Sequence, residues 1–276
     1  MKASTAPAIG YTAEEVWRLL GQFGGISPDV VLVGGQALAF WAHLYRAKPP
    51  ADLTPYVTLD VDFLGTSAHA QAFADAVPGA RLYVPSLDDH TPSSGRVVAR
   101  NVLGRTLEVD FLHSLAGLSD GDVRRNAIDI KDPRGRLLIR VMHPVYCLES
   151  RIKNLILLPS KRDRFGIAQA HLAIQVVRSH IRHVLREPDG VRKALRLVER
   201  VGELALSEPG RRCFIEHRVD VLRAIPARSI PVVEFRQHRW PQLRRQATNK
   251  RRALRTLMQR ASRASSSARP RSKRRR

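Results

Sequence analysis

The chain has 276 residues, of which 43% are hydrophobic and 26% are charged, and its formal net charge is +22. This length suffices for one large domain or two small ones, and the apolar content is that of a folded protein rather than a disordered one. No apolar run is long enough to span a bilayer, and the first residues lack the apolar stretch of a signal peptide, so we predict a cytoplasmic protein with no membrane segment.

The positive charge is unevenly distributed along the chain. Thirteen basic residues and no acidic ones lie in residues 245–276. A basic chain favours a polyanionic partner such as RNA. Arginines outnumber lysines 39 to 8, however, as a GC-rich coding sequence would produce without selection for binding, so both explanations of the tail stay open.

The first part of the chain predicts helices and strands in alternation. A capping box at Thr12–Glu15 begins a predicted helix that ends near residue 23. A buried strand at Val30–Val33 leads into Gly34-Gly35 and a helix from Gln36 to about residue 46. Three prolines in residues 47–55 then predict a loop.

Alternating apolar and polar residues predict the next strand, at 57–64. This alternation places Asp60 and Asp62 on one face, about 6–7 Å apart. The sequence Val-Asp-Phe recurs at 109–111 in a second predicted strand, 106–112, which offers Asp110. Neighbouring carboxylates repel each other unless a cation lies between them, so the three aspartates predict a metal site; an ordinary exposed strand face is the alternative.

The remaining elements change character near residue 143. A helix at 68–77 and strands at 81–84, 96–103 and 137–142 are predicted before it, with Gly104-Arg105 as a tight hairpin connection. After it we predict one helix that begins near Val145. Four further helices are predicted at 163–186, 191–206, 211–225 and about 241–263. We therefore predict domains at 1–143 and 144–240, and a basic helix with a disordered Arg-rich tail at 241–276.

The order strand, Gly34-Gly35, helix, Asp60-Val61-Asp62 and Asp110 resembles the polymerase-β-like nucleotidyltransferase superfamily. Within this superfamily, the sequence of these motifs is most similar to that of the AbiEii-type toxin nucleotidyltransferases, and the resemblance covers residues 26–165. The resemblance implies an α/β (α+β) nucleotidyltransferase fold with a mixed sheet, followed by a helical domain. It also implies transfer of NMP from an NTP to an acceptor.

The resemblance further implies roles for individual residues and partners. Asp60, Asp62 and Asp110 would be catalytic and would hold two Mg²⁺ ions. Gly34, Gly35, Gln36 and Lys153 would contact the nucleotide. RNA, in particular the tRNA 3′ end, would be the acceptor, and the protein would be a toxin of a toxin–antitoxin or phage-defence system with a cognate antitoxin as partner. The alternatives are NMP transfer to a protein or small-molecule hydroxyl, and a non-catalytic basic nucleic-acid-binding protein.

Other candidate residues are interpreted as structural. The family often has an aspartate three residues after Asp163, where this chain has Gly166, so Asp163 is equally well a helix N-cap. The two cysteines predict small buried residues rather than a metal cluster or a disulfide. The histidines at 171, 180 and 183 predict surface or packing positions.

Overall fold

The computed structural model describes residues 29–51, 60–86, 88–100 and 106–267, with side chains placed up to residue 261. Several predictions lie wholly or partly outside these residues. They are the helix at 12–23, the first residues of the strand at 57–64, part of the proline-rich loop, the hairpin connection Gly104-Arg105 and the tail beyond residue 267.

Seven described strands form one mixed sheet. Their bounds are Val31–Leu32 (β1), Asp60–Leu64 (β2), Arg81–Tyr83 (β3), Ser93–Arg100 (β4), Thr106–Leu112 (β5), Ile128–Lys131 (β6) and Leu137–Val141 (β7). The order across the sheet is β3-β4-β5-β2-β1-β7-β6. β2 is parallel to β5 and β1 is parallel to β7, while the other neighbours are antiparallel.

The described α-helices lie mostly in the second half of the chain. Their bounds are Gly34–Leu44 (α1), Ser67–Ala76 (α2), Asp120–Arg125 (α3), Pro144–Leu157 (α4), Arg164–Val184 (α5), Gly190–Leu206 (α6), Glu208–His217 (α7) and Trp240–Ser267 (α8). Short 3₁₀ turns at Pro159–Lys161, Val221–Ala224 and Ala227–Ser229 and a π-helical turn at Phe235–Arg239 connect some of them.

Helix α2 covers one face of strands β3 to β5. Phe73 of α2 packs against Phe111 of β5, with ring centroids 5.8 Å apart. A side chain at Gly95 of β4 would lie 2.9 Å from the methyl group of Ala70, so the close approach of helix and sheet requires glycine there. On the opposite face of these strands, Tyr83 and Arg96 are exposed to solvent.

A single hydrophobic core joins the sheet to the C-terminal helices. Trp41 of α1 is buried, and its indole N–H donates to the carbonyl of Met142 after β7 at 2.8 Å. Tyr45 follows α1 and forms a 2.8 Å hydrogen bond with His180 of α5. The buried residues continue from β1 to Ala247 of α8. The described chain is thus an α+β fold with a mixed seven-stranded sheet and a C-terminal helical region.

The boundaries of most predicted elements agree with the observed ones within a few residues. The helical region begins at Pro144, next to the boundary predicted at 143. Because the core is continuous across this position, the division into domains stays a prediction. Among the described helices, none is long and apolar enough to cross a lipid bilayer.

Two segments differ from the prediction. The stretch between β5 and β7, for which the sequence predicts no regular structure, contains α3 and β6. The helix predicted at 211–225 is wrong in its bounds, because α7 begins at Glu208 and ends at His217. Arg218 has φ 60°, a left-handed conformation that ends a helix, and the chain re-forms as a 3₁₀ turn at Val221–Ala224.

Candidate active site

Three aspartates predicted as metal ligands lie together at the centre of the sheet. Asp60 and Asp62 are on β2, and Asp110 is on the neighbouring parallel strand β5, directly opposite Asp62. One carboxylate oxygen from each lies within 4.8 Å of the others. Among the described residues, this is the one group of three or more His, Cys, Asp or Glu side chains that could share a metal ion.

The three carboxylates differ in their surroundings. Asp60 is exposed, while Asp110 is only 8% exposed. Burial and then the negative charge of Asp60 raise the pKa of Asp62 to about 7, although the positive charge of Arg151 opposes the shift. A proton or a cation is therefore favoured at this position, since either would offset the desolvation and the repulsion.

The turn at Gly34 brings the start of α1 against Asp62. Gly34 has φ +65°, and a Cβ there would lie 2.0 Å from Oδ2 of Asp62. The backbone N–H of Val33 donates to the carbonyl of Asp62 at 2.9 Å. Gly35 and the buried Gln36 form the first turn of α1, so the predicted nucleotide-contacting turn adjoins the predicted metal ligands. The positive end of the helix dipole also lies beside this cluster.

Arg96 and Arg151 are parts of the site that the sequence did not single out. Arg96 of β4 stands opposite Asp110, and its Nε donates to Oδ1 of Asp110 at 2.9 Å. Arg151 of α4 is near enough to Asp62 to lower its pKa, and its Nη1 donates to Gln169 at 3.0 Å. Its Nε is buried and has no hydrogen-bond partner within the described part of the chain. Recognising either arginine needs the strand register and the position of α4, neither of which is a local sequence signal.

Lys153, the lysine predicted to reach the nucleotide, contacts other groups. Its Nζ lies 2.6 Å from the carbonyl of Gly117 and forms a 2.7 Å ion pair with Glu149. Glu149 also pairs with Arg200 of α6 at 3.0 Å. These contacts join α4 to α6 and to the loop before α3. The role of Lys153 in nucleotide binding stays a prediction.

Of the residues that follow α4, two stabilise helix ends and one acts electrostatically on the carboxylate cluster. Arg162 donates to the carbonyls of Leu155 and Ile156 at the end of α4. Asp163 accepts from the N–H of Gly166 at 2.8 Å and is the N-cap of α5, which confirms the structural interpretation of this residue. Lys161, in contrast, lowers the pKa of Asp62, so its charge acts at the carboxylate cluster.

The cysteines and histidines interpreted as structural are found in packing or surface positions: His183 is exposed and His171 is partly buried. Cys147 and Cys213 are both buried free thiols. His180 is 6% exposed and bonded to Tyr45, whose ring also lies 5.8 Å from that of His183.

The donor set at the cluster fits magnesium. Mg²⁺ prefers hard oxygen ligands, and the three side chains offer carboxylate oxygens from two adjacent strands. The raised pKa of Asp62 has the same implication, because a divalent cation would offset the burial and the repulsion that raise it. The arrangement therefore provides an anionic centre for cations, with cationic groups and a helix start around it.

Comparison of the chain with protein-family models, curated proteins and solved structures gave no match in any of the three.

Proposed function

We propose that this chain is a magnesium-dependent nucleotidyltransferase of the polymerase-β-like type. The observation that supports this most directly is the cluster of Asp60, Asp62 and Asp110 oxygens within 4.8 Å of one another, beside the positive-φ turn at Gly34. A triphosphate on magnesium needs an anionic centre for the cations and nearby donors for its own oxygens. Both lie at one end of α1.

The proposed reaction transfers NMP from an NTP to a hydroxyl group. The acceptor oxygen forms a bond to the α-phosphorus, the bond from this phosphorus to the bridging oxygen breaks, and pyrophosphate leaves. The hydroxyl proton is released, so atoms and charge balance. Negative charge grows on the leaving group, and catalysis depends on positioning and on neutralising that charge.

Named residues would divide these tasks. Asp60, Asp62 and Asp110 would hold two Mg²⁺ ions, and the bound ions would supply charge neutralisation for the transfer. Arg151 and Lys161 would bind the phosphates together with the first backbone N–H groups of α1, including those of Gly35 and Gln36. Arg96 would hold the Asp110 carboxylate in place.

RNA is the acceptor that the charge of the protein supports best. The formal net charge is +22, and no acidic residue follows Glu234. By the resemblance, the acceptor would be the tRNA 3′ end, and the protein would act as a toxin controlled by an antitoxin protein. Transfer to a protein or small-molecule hydroxyl would use the same carboxylate cluster.

The function is tested by incubating the protein with Mg²⁺, total tRNA and each of the four α-³²P-labelled NTPs in turn. We expect at least one NTP to label the RNA and to release pyrophosphate. Asp60→Asn, Asp62→Asn and Asp110→Asn should each abolish labelling without loss of helical circular dichroism. Asp75→Asn, in an exposed carboxylate of α2, is the matched control and should stay active.

Each other outcome of this assay has a defined meaning. Label in protein or in a small molecule would retain the transferase and replace the acceptor. RNA binding without any labelled product from the wild-type protein would overturn the transferase and favour the non-catalytic RNA-binding protein.

A further inference from the structure

A row of side chains leads from the aspartates to β3, the outermost of the described strands on that side of the sheet. In register, Tyr83 of β3 is opposite Arg96 of β4, Arg96 is opposite Asp110 of β5, and Asp110 is opposite Asp62 of β2. Side chains that face each other across neighbouring strands lie on the same face of a sheet. The exposed face of β3 and β4 is therefore continuous with the carboxylate cluster.

The next row on this face is partly apolar. Val98 of β4 is opposite Glu108 of β5, which in turn is opposite Asp60 of β2. A hollow of about 380 Å³ is lined by Tyr83, Val84, Val98 and Arg96, among others. Its volume is within the range of small-ligand sites.

The apolar side chains of this hollow are unusually exposed. Tyr83 is 53% exposed and its neighbour Val84 is 58% exposed. Next to them, Arg96 is held by Asp110 at 2.9 Å and by Glu108 at 3.5 Å. An aromatic ring, an aliphatic side chain and a fixed guanidinium plane form a surface on which a planar, weakly polar group can stack.

We propose that this hollow binds the nucleobase at the 3′ end of an acceptor strand, so that the terminal hydroxyl reaches the aspartates. This inference rests on the proposed nucleotidyl transfer and identifies where that reaction would hold its second substrate. The 3′-terminal nucleoside has a planar base to stack and a hydroxyl on the adjacent sugar.

The strand order supports the acceptor rather than the NTP in this position. The N–H groups and cationic side chains proposed to hold the triphosphate belong to α1, α4 and the turn after α4, and these follow β1 and β7. The hollow lies at β3 and β4, on the other side of β2 and β5 in the sheet. Since attacking and leaving oxygens are in line on opposite sides of the phosphorus, the acceptor should approach from the side opposite the pyrophosphate.

Photocrosslinking tests where the terminal base lies. In one arm, the wild-type protein is irradiated with an RNA oligonucleotide that ends in 4-thiouridine; in the other, with 4-thio-UTP and no RNA. We expect the oligonucleotide, and not the nucleotide, to label the tryptic peptide Leu82–Arg96, which contains Tyr83 and most of the hollow. Labelling of this peptide by 4-thio-UTP alone, or by neither probe, would overturn the assignment.

Substitution of Tyr83 tests how much its ring contributes to RNA affinity. We expect Tyr83→Ala to weaken binding of a 5′-fluorescein-labelled RNA with a free 3′ hydroxyl by about 5- to 150-fold in anisotropy titrations, the usual effect of losing one base stack. Tyr83→Phe should bind as the wild type does, because the ring is retained. Leu44→Ala, at the far end of α1, removes a side chain that is also 53% exposed and should change nothing.

The two proposals fail in different ways. If the wild type transfers NMP to RNA but Tyr83→Ala keeps the same Kd and the same KM for RNA, the hollow is not the acceptor site and the function stands. In that case its apolar surface, on the outermost described strand β3, would suit a protein partner. If the wild type neither binds RNA nor transfers NMP, both proposals fall.

Discussion

Asp62 lies between the other carboxylates and the start of α1. It stands opposite Asp110, two residues from Asp60, and its Oδ2 occupies the space that a side chain at Gly34 would need. Among the cations that lower the pKa of Asp62, Arg151 has the larger effect and Lys161 the smaller. Small changes next to this carboxylate should therefore affect cation binding more than changes elsewhere in the sheet.

We predict that Gly34→Ala abolishes Mg²⁺ binding and transfer. The new methyl group would lie 2.0 Å from Oδ2 of Asp62, and the φ of +65° costs alanine about 1–2 kcal/mol in addition. Gly79→Ala is the matched control, since Gly79 has φ +72° and a Cβ added there would have nothing within 4 Å. Thermal unfolding and Mg²⁺ titration calorimetry measure the two effects.

Both substitutions should lower the Tm through backbone strain, but only Gly34→Ala should lose Mg²⁺ binding. If Gly34→Ala binds Mg²⁺ as the wild type does, the carboxylate of Asp62 is free to move away and is not a fixed ligand.

The pKa of Asp62 predicts how stability changes with pH in the absence of magnesium. With a pKa of about 7 in the folded state, Asp62 keeps its proton where the unfolded chain has lost it. The free energy of unfolding should therefore be highest at low pH, fall as the pH rises from about 4 to 7, and then level off. Acting alone, a pKa shift of this size would lower the free energy of unfolding by about 4 kcal/mol over this pH range.

Urea denaturation in EDTA at pH 5, 6, 7 and 8 measures this effect. Asp62→Asn should flatten the pH dependence and be more stable than the wild type at pH 8. Added Mg²⁺ should stabilise the wild type at pH 8 and have little effect on Asp62→Asn. Equal slopes for the two proteins in EDTA would contradict the raised pKa.

On the scale of elements, α4 carries two cations that should differ in function. Lys153 is engaged by Glu149 and the carbonyl of Gly117, whereas Arg151 has a buried Nε without a hydrogen-bond partner among the described residues. We predict that Arg151→Gln weakens NTP binding by about 10- to 150-fold, the effect of a charge-assisted hydrogen bond. Lys153→Gln should mainly lower the Tm.

Titration of both variants with a fluorescent NTP analogue, alongside thermal unfolding, compares the two residues. The family resemblance implies Lys153 as a nucleotide contact. A larger loss of NTP affinity for Lys153→Gln than for Arg151→Gln would support Lys153 as the nucleotide contact instead.

The sequence predicted the elements whose signals are local. The alternation around Asp60 and Asp62 and the repeat at Asp110 identified two strands and the three carboxylates that the fold brings together. The 3.6-residue period identified the helices after residue 143. These signals suffice because a buried face requires regular spacing of apolar residues in each element separately.

The parts that the sequence did not predict depend on contacts between distant residues. The four residues of β6 alternate as a strand requires, but such a short run is indistinguishable from a loop until β7 pairs with it. The end of α7 was misplaced because buried residues such as Val219 and Val221 continue beyond it, in an extended and then a 3₁₀ conformation. The Arg96–Asp110 pair requires the register of β4 on β5, which no local pattern specifies.

On the scale of the whole molecule, α8 carries one buried arginine and several exposed ones. Arg251 faces inward, where it is 8% exposed, pairs with Asp220 and lies 3.8 Å from the ring centroid of Phe214. Ala247 is fully buried on the same side. Four arginines of this helix are exposed: Arg244, Arg245, Arg252 and Arg255. At 100° per residue, these four lie within an arc of about 100° of the helix surface.

We predict that this arginine face contributes to RNA binding through counterion release. Substitution of Arg244, Arg245, Arg252 and Arg255 by glutamine should lower RNA affinity at low salt and leave it nearly unchanged at high salt. For single-stranded RNA, each lost phosphate contact should reduce the slope of log Kd against log salt by about 0.7. The matched control replaces four exposed arginines of the α5–α6 region by glutamine, with the same loss of charge: Arg182, Arg186, Arg192 and Arg196.

Anisotropy titrations with the same labelled RNA over a range of salt concentrations separate a local contact from a general effect of charge. If both quadruple variants lose the same affinity, net charge alone attracts RNA, and the arrangement on α8 is irrelevant. If only the α8 variant loses affinity and its turnover at saturating RNA matches the wild type, α8 binds the body of the strand while Asp60, Asp62 and Asp110 act on its end. A lower turnover at saturating RNA would instead mean that α8 positions the acceptor at the aspartates, and the helical region would then be part of the active site.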